Sequence, residues 1–172
     1  TGAQNVAVGS NCLDSNTTGS GNVGVGHNTL QAVTTAGANT GIGDGALYLN
    51  TGSHNTALGN AALLLNTSGA YNTAVGQGAL DANTTADSNV AIGYVALGAN
   101  TTGADNVGVG TGALDANTTG GTNVGIGNSA LGSNTTASDN TAVGYNSLLS
   151  NTTGAQNTAL GSQALDSNTT GS

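Results

Sequence analysis

The chain has 172 residues and a formal charge of −8, and it contains no Lys, Arg, Pro, Phe, Met, Trp or Glu; eight Asp carry all its charge at neutral pH. Without Lys or Arg there is no fixed positive charge to neutralise a phosphate backbone or an anionic lipid surface, which excludes nucleic acid and anionic membranes as partners. The longest apolar run lies around Ala61 to Leu65, far short of the ~20 residues of a membrane-spanning helix, so no membrane insertion is expected.

Low charge alone would suit a disordered chain, but the aliphatic residues here recur in fixed places, which predicts order. One unit, N-[VT]-[AG]-[VIL]-G-x-x-x-L-x-x-N-T-T-x-x-x, starts at Asn5, Asn22, Asn39, Asn55, Asn72, Asn89, Asn106, Asn123, Asn140 and Asn157. The starts are 17 residues apart, except that Asn39 and Asn55 are 16 apart. The expected fold is therefore all-β, a parallel β-solenoid (β-roll) of about ten coils forming a single domain over residues 1–172.

Within each unit, counted from its Asn as position 1, the first four residues alternate as a short strand does. Position 2 is Val or Thr, position 3 Ala or Gly, and position 4 aliphatic; Gly then ends the strand at position 5. Positions 4 and 9 are the expected core: Val8, Val25, Ile42, Leu58, Val75, Ile92, Val109, Ile126, Val143 and Leu160, with Leu13, Leu30, Leu47, Leu63, Leu80, Leu97, Leu114, Leu131, Leu148 and Leu165. Position 3 faces away from positions 2 and 4, and its small size means that some surface approaches closely. That surface is either a neighbouring chain or the cramped interior of a thin roll.

A second short extended segment is expected around positions 8 and 9. A corner follows at positions 12 to 15, where Asn and Thr side chains can bond their own backbone. The Asn column at position 1 (Asn5 through Asn157) and a second at position 12, broken only by Val33, predict two amide ladders along the rod. At about 4.8 Å per coil, ten coils make a rod on the order of 50 Å long. Two or three buried aliphatics per coil, at roughly 1.5–3 kcal/mol each, cannot offset the ordering of the whole unit, so stability has to come from stacking.

The strings NVAVG at 5–9, NTAVG at 72–76, NVAIG at 89–93 and NTALG at 157–161, each followed within three residues by a small one, resemble the YadA-like head repeats of trimeric autotransporter adhesins; similar repeats occur in phage tail fibres. The resemblance covers nearly the whole chain, although the family's unit is shorter than 17 residues and lacks the Asn-Thr-Thr corner. It implies a left-handed roll that trimerises side by side, lies outside the cell or on its surface, and attaches to host matrix or a cell-surface ligand.

Chemistry-bearing residues are sparse. His27 and His54 fall at different repeat positions with no Cys or Glu beside them, so neither a metal nor a cofactor is expected. Cys12 takes a small-residue slot at position 8 and cannot form an internal disulfide. Asp14, Asp81, Asp115 and Asp166 share position 10 in four of ten coils, too few for a calcium-binding column, and read as solubilising charge. No Ser-His-Asp set recurs, so no catalytic residue is assigned.

Sequons at Asn16, Asn66, Asn83, Asn100, Asn117, Asn134, Asn151 and Asn168 would carry a ladder of glycans if the chain passed through a glycosylating secretory route. The expected function is a non-catalytic structural or adhesive fibre segment, either part or subunit of a longer fibre, self-associating as a homotrimer or end to end as a filament through its open strand edges. Two alternatives stand beside it. One is an ice-binding solenoid using the Thr columns at positions 13 and 14; the other is the stalk of a spike whose enzyme domain lies outside this chain.

Overall fold

A computed structural model describes residues 2–172. Each repeat contributes one three-residue strand: β1 (Val6–Val8), β2 (Val23–Val25), β3 (Thr40–Ile42), β4 (Thr56–Leu58), β5 (Thr73–Val75), β6 (Val90–Ile92), β7 (Val107–Val109), β8 (Val124–Ile126), β9 (Thr141–Val143) and β10 (Thr158–Leu160). The strands form one parallel ten-stranded sheet in chain order. Each position pairs with its counterpart one repeat on, as in Val107↔Val124, Gly108↔Gly125 and Val109↔Ile126. The fold is thus a β-solenoid with a coil of about 17 residues, and the 16-residue repeat keeps the register, pairing Thr40 with Thr56.

The strand lies the other way round from the expectation. Position 3 points inward: Ala57, Ala74, Ala91 and Ala142 are fully buried. Position 4 points outward: Val8, Ile42, Leu58, Ile92, Ile126 and Leu160 are exposed, from 39 % at Ile42 to 79 % at Leu160, and Val25, Val75, Val109 and Val143 are half-buried. These ten residues are not core. The reason is volume. Each position-9 leucine packs beneath position 3 of the next coil, so closely that a Cβ on Gly108 would lie 3.3 Å from Leu97 Cδ1 and one on Gly125 3.2 Å from Leu114 Cγ. The interior already holds one large column and has no room for a second. Crowding inside the coil therefore accounts for the small residue at position 3.

The leucine column is core as expected, fully buried from Leu30 through Leu148. Leu13 is buried under the second coil, whereas Leu165, with no coil stacked beyond it in this chain, is exposed. Position 8 joins the core: Ala46, Ala62, Ala79, Ala96, Ala113 and Ala130 are fully buried. Larger groups there need space from the next coil. A Cβ on Gly24 would sit 2.4 Å from Cys12 Sγ, so Cys12 and Gly24 form a fitted pair.

Positions 8 and 9 are not a second strand. The segment from 6 to 11 is a run of turns, with φ near +50° at position 9 in every coil (Leu47 at 56°, Leu114 at 54°) and at the non-glycine residues of position 7, such as Asn28 and Val95. The left-handed conformation costs an L-residue about 1–2 kcal/mol. Here it turns the chain back sharply enough to aim a leucine into a thin interior. At position 5 only glycine fits, because φ is +124° to +141° and a Cβ on Gly93 would come within 2.5 Å of the Gly110 carbonyl oxygen.

Both amide ladders form. At position 1, each Asn side chain accepts from the backbone N–H of the next: Asn123 N to Asn106 Oδ1 is 3.0 Å and Asn140 N to Asn123 Oδ1 3.0 Å. At position 12, each Nδ2 donates to the Oδ1 one coil back, as from Asn117 to Asn100 at 2.9 Å. The two columns meet within most coils, the exceptions being the coil of Val33 and that of Asn89, whose Nδ2 donates to the Asp87 carbonyl instead. Asn72 Nδ2 and Asn83 Nδ2 both donate to the Ala86 carbonyl, at 2.8 and 3.1 Å. This clamp ties strand start and corner together and lets fully buried amides satisfy one another. Val33 interrupts the corner ladder and leaves buried Asn16 Oδ1 without a hydrogen-bond partner.

Candidate interaction surface

Because position 3 takes the interior, positions 2 and 4 stand on the outer face of the sheet. In-register stacking turns them into two parallel columns running the length of the rod. The first is Val6, Val23, Thr40, Thr56, Thr73, Val90, Val107, Val124, Thr141 and Thr158; the second is the Val, Ile and Leu column of position 4. Neither column contains a charge. The rims are mostly polar: position 6 carries Ser10, His27, Asp44, Asn60, Gln77 and Thr111 among others, and position 17 carries Ser88, Asp105, Thr122, Asp139 and Gln156, with Gly21, Ala38 and Tyr71 as its apolar exceptions. A continuous apolar stripe with a polar border is the composition of a contact surface.

The corner presents threonines in two chemically different states. At position 13 the hydroxyl is spent on stacking, donating to the position-13 carbonyl of the next coil, as from Thr84 to Thr101 at 3.1 Å and from Thr118 to Thr135 at 3.0 Å. At position 14, Thr18, Thr35, Thr85, Thr102, Thr119, Thr136 and Thr153 are all exposed. Thr17, Thr34, Thr51 and Thr67 at position 13 are exposed as well, but Thr17, Thr51 and Thr67 give their hydroxyls to the next coil, whereas the position-14 file keeps its hydroxyls for solvent.

The sequon asparagines do not. Asn66, Asn83, Asn100, Asn117, Asn134 and Asn151 are fully buried with their Nδ2 groups donating within the ladder, so an oligosaccharide on that nitrogen has no space in the folded chain. Asn16 and Asn168, in the end coils, are half-buried and also donate through Nδ2, to Gly19 and Gly171. The glycan ladder is corrected accordingly: these amides are structural.

The titratable groups are dispersed. His27 Nδ1 lies 3.0 Å from Asp44 Oδ1 at an exposed pair, and His54 stacks on Tyr71 with ring centroids 4.9 Å apart. Among the described residues no three His, Cys, Asp or Glu side chains come together as a metal site would require. Burial raises the Cys12 thiol above its ordinary pKa, and a backbone hydrogen bond at Val8 partly opposes this, so the thiol is protonated near neutral pH. Burial likewise raises Asp81 and Asp115, and the Asp115 charge pushes Asp81 further.

Residues that sequence reasoning did not single out line one groove across coils two to four. Asn28, Asp44, Gly45, Tyr48, Asn60 and Leu64 border about 240 Å³ of open space. The signal available was a local break in the pattern. Positions 10 and 11 read Tyr48-Leu49 and Leu64-Leu65 here, against small or acidic residues in most other coils. No family model, no curated protein and no solved structure matches this chain.

Proposed function

We propose that this chain is a non-catalytic structural segment of an extracellular fibre that assembles side by side through its strand face, with adhesion as the role of the assembled rod. The observation that carries this is the outward aliphatic column at position 4: every coil places Val, Ile or Leu on the surface, in register, with no element of its own chain covering it. Exposed aliphatics scattered singly need no explanation, but ten in a line do. A strip about 48 Å long and, across a three-residue strand, about 10 Å wide offers roughly 480 Å² per copy before its rims are counted. The rims bring it towards the ~800 Å² per partner of a stable interface. The resemblance to YadA-like heads supports the same arrangement and adds the extracellular setting.

Sedimentation velocity tests it. The chain is expected to sediment as a discrete oligomer at tens of micromolar, and Ile92→Asp with Ile126→Asp to return it to monomer with an unchanged circular dichroism spectrum. A wild-type chain that stays monomeric across that range, or a double variant that still associates, removes the reading.

Ice binding is a second reading, favoured by the exposed position-14 file. It is weakened by the internal use of the position-13 hydroxyls, which leaves one column where a flat two-column array would be wanted. Measurable thermal hysteresis abolished by Thr102→Val and Thr119→Val would establish it; none at millimolar protein would dismiss it.

A further inference from the structure

We infer that the groove across coils two to four binds a single neutral sugar ring. It is lined by Gly45, Tyr48 and Leu64, and a Cβ on Gly45 would lie 3.2 Å from Leu64 Cδ1, so a side chain there would press on the groove's apolar lining. The volume, about 240 Å³, lies below the ~300–1,000 Å³ of sites for drug-sized ligands and suits one pyranose. An aromatic residue beside an aliphatic one offers apolar contact to the C–H face of a pyranose, as such side chains do in small-molecule sites generally.

Polar groups complete the match. Asn28 Oδ1 is occupied by Asn11 Nδ2 at 2.9 Å, Asp44 Oδ1 by His27 at 3.0 Å, and Asn60 Nδ2 by the Asp44 carbonyl at 3.2 Å. This leaves Asn28 Nδ2 as donor, Asp44 Oδ2 and Asn60 Oδ1 as acceptors, and the Tyr48 hydroxyl as either. Donors and acceptors mixed along one groove serve the vicinal hydroxyls of a sugar, each of which both donates and accepts. Charge selects among sugars. With Asp44 in the wall and no Lys or Arg anywhere in the chain, anionic sugars are repelled and neutral ones admitted.

The groove opens on positions 6, 7 and 10; only its position-6 residues, Asp44 and Asn60, also border the strand face, so sugar binding and side-by-side assembly are read by separate measurements. The experiment is a ¹H–¹⁵N correlation titration of the full chain with methyl glycosides of glucose, galactose, mannose and N-acetylglucosamine. At least one is expected to give saturable shifts confined to coils two to four, with Kd of about 1–10 mM. Tyr48→Ala should weaken that binding at least about tenfold and Tyr48→Phe only about two- to threefold, with both melting curves unchanged, since the ring and not the hydroxyl supplies most of the contact. Absence of saturable shifts with all four glycosides, shifts spread equally to Tyr94 and Tyr145, or full binding by Tyr48→Ala would each overturn the proposal.

Discussion

Two columns of this rod carry an aliphatic residue in all ten repeats, position 9 and position 4, yet one is the core and the other is the surface. Leu114 is fully buried, and Ile126, twelve residues on, is 39 % exposed. What separates them is the residue between positions 2 and 4. A thin coil has space for one large side chain per turn, and the leucine takes it by folding back in the left-handed conformation. The strand must then offer its smallest residue to the interior. An aliphatic column that the interior cannot accept has been kept in every repeat, and that points to a use outside the chain.

The largest expected effect sets these columns against each other. Leu114→Asp places an unpaired carboxylate among fully buried neighbours and opens the interior, and should cost about 3–5 kcal/mol or more, with coils on either side fraying together because each coil is held only by its neighbours. Ile126→Asp should cost about 1 kcal/mol or less in the monomer, since the charge stays in water. Urea unfolding at dilute protein reads both. Equal losses at the two sites would erase the distinction between core and surface on which the assembly proposal stands.

The polar part of the interior sharpens the comparison next. The position-1 ladder runs unbroken, but the corner ladder skips Val33, which orphans Asn16 Oδ1. Val33→Asn supplies an Nδ2 that can donate to Asn16 Oδ1 and to the Ala36 carbonyl, as Asn83 does to Asn66 Oδ1 and Ala86 in a regular coil. It also gives Asn50 Nδ2 an acceptor one coil back. Exchanging a buried valine for asparagine would ordinarily destabilise; here the expected outcome is a gain of about 1 kcal/mol, because a buried unsatisfied acceptor costs roughly 1–3. A lower unfolding midpoint would mean that the apolar gap is better filled than the ladder.

A smaller gain is expected at Val95, a β-branched residue at φ 48° beside the core leucine Leu97 at 53°. Unlike the leucine, Val95 is half-buried and on the outside, so its strain is not repaid by packing in the interior. Val95→Asn keeps a side chain that tolerates this conformation and should stabilise by about 0.5–1 kcal/mol, read from the same urea curves. No change would show that the conformation costs valine little at this site.

How much of this the sequence disclosed follows from the same geometry. The period, the strand at positions 2 to 4, the glycine bend, the leucine column and both amide ladders were legible, because repetition exposes any position with one permitted residue type. The facing of the strand was not. Alternation shows that position 3 opposes positions 2 and 4, but which side is interior depends on how much volume Leu97 and its counterparts already occupy. Nor was the conformation of those leucines legible, since leucine is no turn former and only the closing of the coil imposes a positive φ on it. The sequons misled for a related reason: Asn-Thr-Thr reads as a surface turn, and the amide at its start is turned inward by the clamp it shares with position 1. The groove was hidden because Tyr48 and Leu64 look like unremarkable variants until stacking sets them one coil apart.

The smallest expected effect concerns charge on a third, outer column. Asp81 and Asp115 occupy position 10 two coils apart, and both have their pKa raised by partial burial, Asp81 also by the Asp115 charge. A carboxyl whose folded-state pKa lies above its unfolded one binds its proton more readily when folded. Stability should therefore rise as the pH falls from 7 through the raised folded values towards the ordinary value of 3.8, opposite to the usual salt-bridged Asp. Both groups remain largely in water, so the rise in melting temperature should be modest. Asp115→Asn should raise the melting temperature at pH 7 and flatten its pH dependence, because it removes one strained charge and relieves Asp81 of a neighbour. Asp14→Asn, one charge removed from the same column in the first coil, should raise the melting temperature less. If the two variants behave alike, only the overall charge of −8 matters, and the placement of carboxylates along the rod has no local consequence.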